Sequence, residues 1–447
     1  MRQNFFHRSE GIKLRGPSRP LRLAGKSIFQ PSSPKFTNIP IILSNPPSTN
    51  LDKMLPKTPL LDAITQGNFG EAEKLILAGD RLPNNTHIFD LVLLYEKLLS
   101  KKAFPVIKAL TASRQINTDI YELDRFEDSI YKPLITRIPV DDESLAFIKD
   151  FVANSQNIND EIKGYSLLSF AFQEKADTRI IKALIAAGCR ADSKNNAEDT
   201  LISQVVRINL MQEDKQISYV DLLINEGVSV TDINVARQSA LHIAIQSNKN
   251  HLIDILLANG AQPNEQDNVG NTAFFYTLAH KLDGPLYMKL AAHTRPDFTL
   301  INRERQTALS EYLRMMQGGD SDIKLLEQLI EDGADLNQST PHYDEQKSGW
   351  DWVIVRSIEM VDMALKKTGF DINTQDNQGN TLLHKICKVD SYHSHDNAKN
   401  TYRKVKFLLE KGADPSITNN RDETAMMLSA TDNLKAKTVE LLLSLKR

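Results

Sequence analysis

The stretch from Ser239 to Ala261 reads SALHIAIQSNKNHLIDILLANGA and contains the pattern that decides the fold. It begins with a hydroxyl residue, a small residue and an apolar residue, and its glycine follows 21 residues after the serine. A hydroxyl side chain can accept the unpaired backbone N–H groups at the start of a helix, and glycine can take the left-handed conformation that ends one. The stretch therefore predicts two short helices joined by a tight turn.

The same pattern recurs along the chain with a nearly constant period. The first residues of its copies are Thr58, Ser166, Thr200, Ser239, Thr272, Thr307, Thr381 and Thr424. From Ser166 the successive steps are 34, 39, 33 and 35 residues. A second signature, an apolar helical stripe followed by glycine, keeps the same phase at Gly260, Gly333 and Gly412. Such a period is typical of repeat architectures, in which each repeat buries its apolar face against its neighbours.

These two signatures resemble the ankyrin repeat, and His242 and His384 fall on the histidine of that family's motif. The resemblance covers roughly residues 56 to 447. It implies an all-α ankyrin-repeat solenoid of stacked helix-turn-helix repeats with short β-hairpin fingers. It also implies that Asp267–Asn271 and Asp376–Asn380 form finger turns, and that the two histidines order the backbone instead of acting as bases or ligands.

The composition changes near residue 55. Residues 1–50 hold eight Lys or Arg residues, one acid and seven prolines, a density of proline that prevents continuous helix or strand. We predict a disordered basic Pro-rich arm over residues 1–55, divergent ankyrin-like repeats over 56–160, and an ankyrin-repeat array with insertions between helices over 161–447. The pattern is least regular in 86–160 and 348–373.

Composition also limits the classes of partner and compartment. A net charge of -3 predicts no nucleic-acid partner. The longest uncharged stretch, Phe36 to Leu51, has 16 residues with three prolines, whereas a membrane-spanning helix needs about 20 apolar ones. Two cysteines in 447 residues indicate folding without a disulfide framework. We predict a soluble, cytoplasmic monomer, with secretion into a host cell or mitochondrial targeting by the basic N-terminus as alternatives.

Motifs that would carry chemistry are weak. Cys189 and Cys387 are candidate nucleophiles, but each lies where a small buried hydrophobic residue suffices. His393-Ser394-His395 offers metal-ligand types without further ligands at the usual spacing. Gly25-Lys26-Ser27 resembles the end of a phosphate-binding loop, yet Pro20 occupies the position of its first glycine. The sequence therefore predicts no catalytic residue, no cofactor and no metal.

The ankyrin resemblance places the fourth residue after the motif Thr or Ser on the concave side of the first helix. Phe170, Tyr276 and Trp352 occupy this slot, and we predict that they are exposed aromatic anchors for a partner. Trp350, by contrast, aligns with a core position. The finger tips are predicted to supply polar rim contacts, and these residues are Arg237, Asn268, Arg303, Arg305, Gln378 and Arg421.

These observations predict a protein–protein interaction scaffold or adaptor that binds a partner protein through its concave face and finger loops. The alternative is an enzyme whose catalytic surface lies in the irregular 86–160 region or in an insertion, with the repeats delivering the substrate. The degenerate repeats, the basic leader and the mixed C-terminus Val439–Arg447 also resemble ankyrin-repeat effectors of intracellular bacteria. That resemblance implies a host protein as the partner.

Overall fold

A computed structural model of the chain describes residues 58–84 and 86–445, so the predicted basic arm over 1–55 and the Gly25-Lys26-Ser27 motif lie outside the described residues. Pairs of helices follow one another from the first described repeat onward. In the N-terminal part these are α1 Pro59–Gln66, α2 Phe69–Leu77, α3 Ile88–Ser100, α4 Phe104–Ala112, α5 Tyr131–Thr136 and α6 Asp142–Ala153, with 3₁₀ turns at Ile120–Glu122 and Phe126–Asp128. The irregular 86–160 region is therefore helical as well.

The central repeats continue the alternation of first and second helices. They contain α7 Leu167–Gln173, α8 Thr178–Ala186, α9 Leu201–Arg207, α10 Glu213–Asn225, α11 Ala240–Gln246, α12 Ile253–Ala258, α13 Ala273–Phe275, α14 Gly284–His293, α15 Ala308–Met315 and α16 Asp320–Glu331. A 3₁₀ turn at Asn250–Leu252 precedes α12, and the π-helix Tyr276–Lys281 extends α13.

The C-terminal repeats contain the two strands of the described residues. They are β1 Ser339–His342 and β2 Glu345–Ser348, which pair antiparallel with His342 opposite Glu345. The helices there are α17 Gly349–Val353, α18 Ile358–Thr368, α19 Leu382–Lys388, α20 His395–Glu410, α21 Ala425–Ser429 and α22 Ala436–Ser444, with a 3₁₀ turn at Asn433–Lys435. None of the described helices has the length and apolarity that crossing a membrane requires.

Helix boundaries follow the sequence signatures. All eight predicted hydroxyl residues are N-cap residues, and Thr272, for example, accepts a hydrogen bond of 3.0 Å from the backbone N–H of Phe275. Gly260 and Gly412 follow the second helices of their repeats with φ of 93° and 96°, a conformation that L side chains adopt at a cost. The prediction of two helices for each repeat is confirmed.

One continuous core joins the repeats. Its buried apolar side chains run from Leu60 to Leu442 and come from both helices of each pair. Trp350 is 2% exposed and packs on the ring of Phe370, 4.5 Å between centroids, as predicted for a core position. Because each repeat is covered by its neighbours, the described residues form a single stack and not separate domains.

The finger turns share one hydrogen-bond pattern. In six copies an Asn or Asp side-chain oxygen accepts from the backbone N–H groups two and four residues later, at 2.9 to 3.1 Å. The accepting residues are Asn195, Asn234, Asp267, Asn302, Asp376 and Asn419. Most fingers are thus tight turns, some with an isolated bridge, and β1–β2 is the finger that forms a regular hairpin in the described chain.

Neighbouring finger tips are joined to one another by single backbone hydrogen bonds. The donors and acceptors are Val235 to Ala197 at 3.0 Å, Asn268 to Ala236 at 2.9 Å, Arg303 to Val269 at 2.9 Å and Asn420 to Gln378 at 3.0 Å. We refer to this row as the finger ladder. It runs from the 195–199 turn to the 302–306 turn and resumes between the 376–380 and 419–423 turns.

Cations cap the first helices from the following repeat. The last carbonyl groups of a helix lack partners within the helix, and the negative end of its dipole favours a positive charge there. The capping pairs are Lys97 with Thr65 O, Lys249 with Ile208 O, Lys281 with Gln246 O, Arg356 with Leu313 O and Arg314 O, and Lys435 with Cys387 O and Val389 O. Each such contact ties one repeat to the next.

We expect Lys435→Met to destabilise the C-terminal repeats, because it leaves the carbonyl groups of Cys387 and Val389 buried without their donor. The expected loss is about 1.5–3 kcal/mol, the range for a hydrogen bond that involves a charged group. Urea unfolding followed by circular dichroism measures it. Lys437→Met is the matched control, since its side chain is 80% exposed. Equal stability of the two variants would contradict the capping role.

Candidate functional site

A cleft of about 590 Å³ lies between the β1–β2 hairpin and the next finger turn, Asp376–Asn380. We name it the C-terminal cleft. Its lining residues are Ser339, Asp344 to Ser348, Asp351, Trp352, Ile354, Val355, Asp376 to Gln378, Asn380, Lys385, Lys388 to Asp390 and Tyr392. An adjoining hollow of about 250 Å³ shares four of these residues and extends to Arg421 on the last described finger.

Trp352 holds the hairpin in place beside the cleft. The ring of His342, at the end of β1, meets the indole edge to face at 4.9 Å, and Lys347 Nζ of β2 lies 5.1 Å from the indole centroid. A cation over an aromatic face is attracted by the ring's electron density. Trp352 is therefore fixed by its own finger, while the part of its surface that remains accessible lines the cleft.

Lys385 forms the polar floor of the cleft. Its Nζ lies 2.7 Å from Asp351 Oδ1 and 2.7 Å from Asp376 Oδ2. Burial alone would lower the pKa of Lys385, but the two carboxylates raise it above its usual value. Asp376 uses its other oxygen to hold its finger turn, at 2.9 Å from both backbone N–H groups. The lysine thus joins α17 to the next finger and fixes the distance between them.

The lining of the cleft carries an excess of negative charge. Its lining holds five carboxylates and three ammonium groups, a difference of two negative charges. Lys388 pairs with Glu345 at 3.3 Å across the opening. Asp344 and Asp390 are exposed and have no ion-pair partner among the described residues. The cleft is therefore complementary to a basic group.

The prediction of exposed aromatic anchors is wrong for Phe170 and Tyr276. Phe170 is 5% exposed and stacks on Phe126 at 5.0 Å. Tyr276 is 8% exposed and donates a hydrogen bond of 2.6 Å to Asp267 Oδ2. In both repeats the slot is covered by neighbouring parts of the stack, so neither ring is available to a partner. Trp352 is half-buried and is the predicted aromatic that lines the cleft.

The six predicted finger residues are all exposed, but they do not form one cluster. Gln378 lines the cleft and Arg421 lines the adjoining hollow. The other four lie on earlier fingers, away from the cleft lining: Arg237, Asn268, Arg303 and Arg305. Arg237 is also paired with Glu265 at 3.0 Å. The structure therefore brings together Trp352 and Gln378, with Arg421 beside them.

Sequence reasoning missed Tyr392 and the hairpin. Tyr392 is 76% exposed and follows α19 in one of the insertions between helices. The hairpin had a signal in its spacing, since Gly333 precedes Ser348 by 15 residues, whereas Gly260 precedes Thr272 and Gly412 precedes Thr424 by 12. Three additional residues at this point are enough to turn a tight finger into two paired strands.

Both cysteines that the sequence offered as candidate nucleophiles are buried. Burial raises the pKa of Cys189 to about 12 and that of Cys387 to about 11, so neither thiol is ionised near neutral pH. His393 and His395 are exposed, and the described residues contain no cluster of three or more metal-ligating side chains. These findings agree with the interpretation of both cysteines as small buried hydrophobic residues.

His242 and His384 order the backbone, as the ankyrin resemblance implied. The Nδ1 of His242 accepts from the backbone N–H of Ser239 at 3.3 Å, and its Nε2 contacts the Glu265 carbonyl oxygen at 3.0 Å. His384 makes the same contacts with Thr381 and Glu423, at 3.2 and 3.1 Å. Each neutral imidazole joins a helix start to the next finger. Burial lowers the pKa of both histidines.

This arrangement predicts a loss of stability in mild acid. A pKa that is lower in the folded state favours the neutral imidazole, so the stabilisation is present above the unfolded-state value of about 6.5 and is lost as the pH falls below it. The free energy of unfolding, measured with urea at several pH values from 7 to 5, should have a smaller slope against pH for a His242→Gln/His384→Gln variant than for the unaltered chain. His395→Gln is the exposed control. An unchanged slope in the double variant would contradict the assignment.

The family description "Ankyrin repeats (3 copies)" matches residues 167–267. The chain contains ankyrin repeats. Its repeats outside that range have the same capped helix pairs and finger turns, for example those that begin at Thr307, Thr381 and Thr424.

Similar curated proteins come from viruses and from mouse. The putative ankyrin repeat protein FPV219 of Fowlpox virus is 41% identical over 64 residues, 14% of this chain and 12% of the relative. The B-cell lymphoma 3 protein homolog of Mus musculus is 26% identical over 202 residues, 44% of this chain and 40% of the relative. The putative ankyrin repeat protein L271 of Acanthamoeba polyphaga mimivirus is 27% identical over 187 residues, which are 42% of this chain and 22% of the relative. The chain thus spans less than half the length of each of these relatives.

Two solved structures show partial similarity. The ankyrin repeat domain of Bcl-3 has a TM-score of 0.42 at 23% identity, over 55% of this chain and 98% of that one. The second structure is the complex of the predatory endopeptidase Bd0816 from Bdellovibrio bacteriovorus with the immunity protein Bd3460. One chain of it has a TM-score of 0.36 at 20% identity, over 48% of this chain and 99% of that one. Neither score is high enough to compare sites.

Proposed function

We propose that this ankyrin-repeat protein is a scaffold or adaptor that binds a partner protein through the finger side of its stack, and that the C-terminal cleft holds the partner. Ankyrin repeats in general imply a protein–protein interaction scaffold. The observation that supports the position of the site is the cleft itself, where a half-buried tryptophan and an exposed tyrosine lie beside unpaired carboxylates.

The cleft has the composition of an interface centre. Aromatic side chains in a concave surface contribute most of the binding energy at interfaces, and polar residues around them exclude water. Trp352 is already held by the hairpin, so binding costs little of its side-chain entropy. Tyr392, on the α19–α20 insertion, lines the same cleft. Gln378 and Arg421 would then supply the polar rim.

Two further predictions from the sequence stand beside this proposal. The first is that the protein is a bacterial effector whose partner is a host protein, a prediction that rests on the degenerate repeats and the basic leader. None of the three relatives above is described as a bacterial effector. An enzyme with a catalytic surface in the 86–160 region or an insertion is the alternative. The adaptor is favoured because the cleft offers recognition groups, whereas both cysteines are buried as thiols.

We expect Tyr392→Ala to weaken the capture of a partner from a eukaryotic lysate by the full chain at least about tenfold, the effect of losing an aromatic interface centre. Quantitative mass spectrometry of the bound proteins over a dilution series of the bait measures it. Tyr121→Ala is a closely matched control, since Tyr121 is 78% exposed and lies outside the cleft.

Trp352→Ala should weaken capture at least as much, because Trp352 lines the cleft and also supports the hairpin. Circular dichroism verifies that this variant keeps its helical content. If the same proteins are retained by the Tyr392 and Trp352 variants and by the control, the cleft is not the binding site.

A further inference from the structure

The finger ladder has a gap at the hairpin. No backbone hydrogen bond joins residues 339–348 to the finger on either side within the described part of the chain. The 302–306 turn donates back to Val269, and the 376–380 turn accepts from Asn420, but the hairpin takes part in neither contact. The C-terminal cleft lies in this gap, between the hairpin and the 376–380 turn.

One edge of the hairpin is suited to accept another strand. Pro341 lies opposite Gln346 and has no N–H group, so this pair cannot exchange two backbone hydrogen bonds. In two antiparallel strands, opposite residues that do not hydrogen-bond to each other direct their backbone N–H and C=O groups away from the partner strand. Gln346 therefore presents a donor and an acceptor on the outer edge of β2, whereas Pro341 removes the donor from the outer edge of β1.

The outer edge of β2 faces the cleft. Residues 344–348, which include all of β2, line the cleft, while β1 contributes only its first residue, Ser339. Gln346 is exposed, and no hydrogen bond of its backbone to another finger is present in the described chain. Unpaired strand edges are the places where extended peptides add to a sheet.

The side chains around this edge indicate the chemistry of the added strand. Trp352 and Val355 form an apolar surface on one side of the cleft, and Asp344 and Asp390 supply unpaired negative charges at its rim. Side chains of an extended segment alternate between two faces. A segment in which apolar residues alternate with Lys or Arg would place the apolar ones on the tryptophan side and the basic ones near the carboxylates.

We infer that the C-terminal cleft binds an extended, basic segment of a partner protein as an additional strand on the outer edge of β2. The inference rests on the proposed function and specifies its partner. Four residues of β2 extend over about 13 Å at a rise of about 3.3 Å per residue, so the contact involves a short segment. The exposed Lys388–Glu345 pair across the opening is displaced at small cost, because surface ion pairs contribute little.

The probe for this inference is a KVKVKV-amide peptide that carries fluorescein on its N-terminus, titrated with the full chain and followed by fluorescence anisotropy. We expect saturable binding of this peptide and none of an EVEVEV-amide peptide labelled in the same way. Two further peptides carry N-methyl groups on the three lysine amides or on the three valine amides. Since alternate amides of a strand point to opposite edges, one set should weaken binding at least about tenfold and the other should not.

The protein variants test the same edge. Gln346→Pro removes the outward N–H group and leaves the hairpin's own hydrogen bonds in place, so it should weaken peptide binding about tenfold, while Gln346→Ala should not. Asp344→Asn/Asp390→Asn should weaken binding of the basic peptide roughly threefold or more, with a smaller dependence on salt. Circular dichroism and thermal melting verify that each variant is folded.

The outcomes are distinguishable. Equal binding of both N-methylated peptides and of the Gln346→Pro variant would show charge attraction without strand addition, and would overturn the inference. Absence of saturable binding by the basic peptide would overturn it too. In either case the proposed function still stands if Tyr392→Ala loses the captured partner, and it fails separately if that variant and the Tyr121→Ala control behave alike.

Discussion

The hydrogen bonds that one Asn or Asp side chain accepts from its finger backbone determine how six of the fingers meet their helices. A finger projects from the helices, so its backbone N–H groups find few partners in the core. Asn234 Oδ1 accepts from two of them at 2.9 Å, and the corresponding residues in five other fingers do the same. This turn ends one residue before the helix cap, and it therefore fixes where and in which direction each first helix begins.

The choice between Asn and Asp at this position explains why Tyr276 is buried, although the sequence predicted an exposed anchor. An asparagine has an amide group left, and Asn234 uses it to contact Asp199 of the preceding finger at 2.8 Å. An aspartate has a second oxygen left, which takes a donor from the slot: Tyr276 for Asp267 and Lys385 for Asp376. In both repeats the slot side chain is thus held against the finger, and Tyr276 is buried there. Only spatial proximity reveals this contact.

The local features of the fold could be predicted from sequence, and the non-local ones could not. Helix caps at Thr272 or Thr381 and the turn at Gly260 depend on a few neighbouring residues, and they occur where the sequence places them. The burial of Phe170 depends on Phe126, which lies 44 positions earlier in an irregular region. The cleft depends on a missing contact between two fingers, for which three additional residues before Ser348 are the sole local sign.

The gap in the finger ladder does not interrupt the stack, because the helices are joined by other contacts at the same place. Arg356, which follows α17, caps the end of α15, and Lys385 joins Asp351 to the following finger. The core also passes continuously through Trp350 and Met360. Since these contacts join the helices without the finger contacts, the hairpin edge can remain unpaired while the neighbouring repeats stay packed together. Packed helices therefore support the cleft on both sides, which is the condition under which a binding surface keeps its shape before a partner arrives.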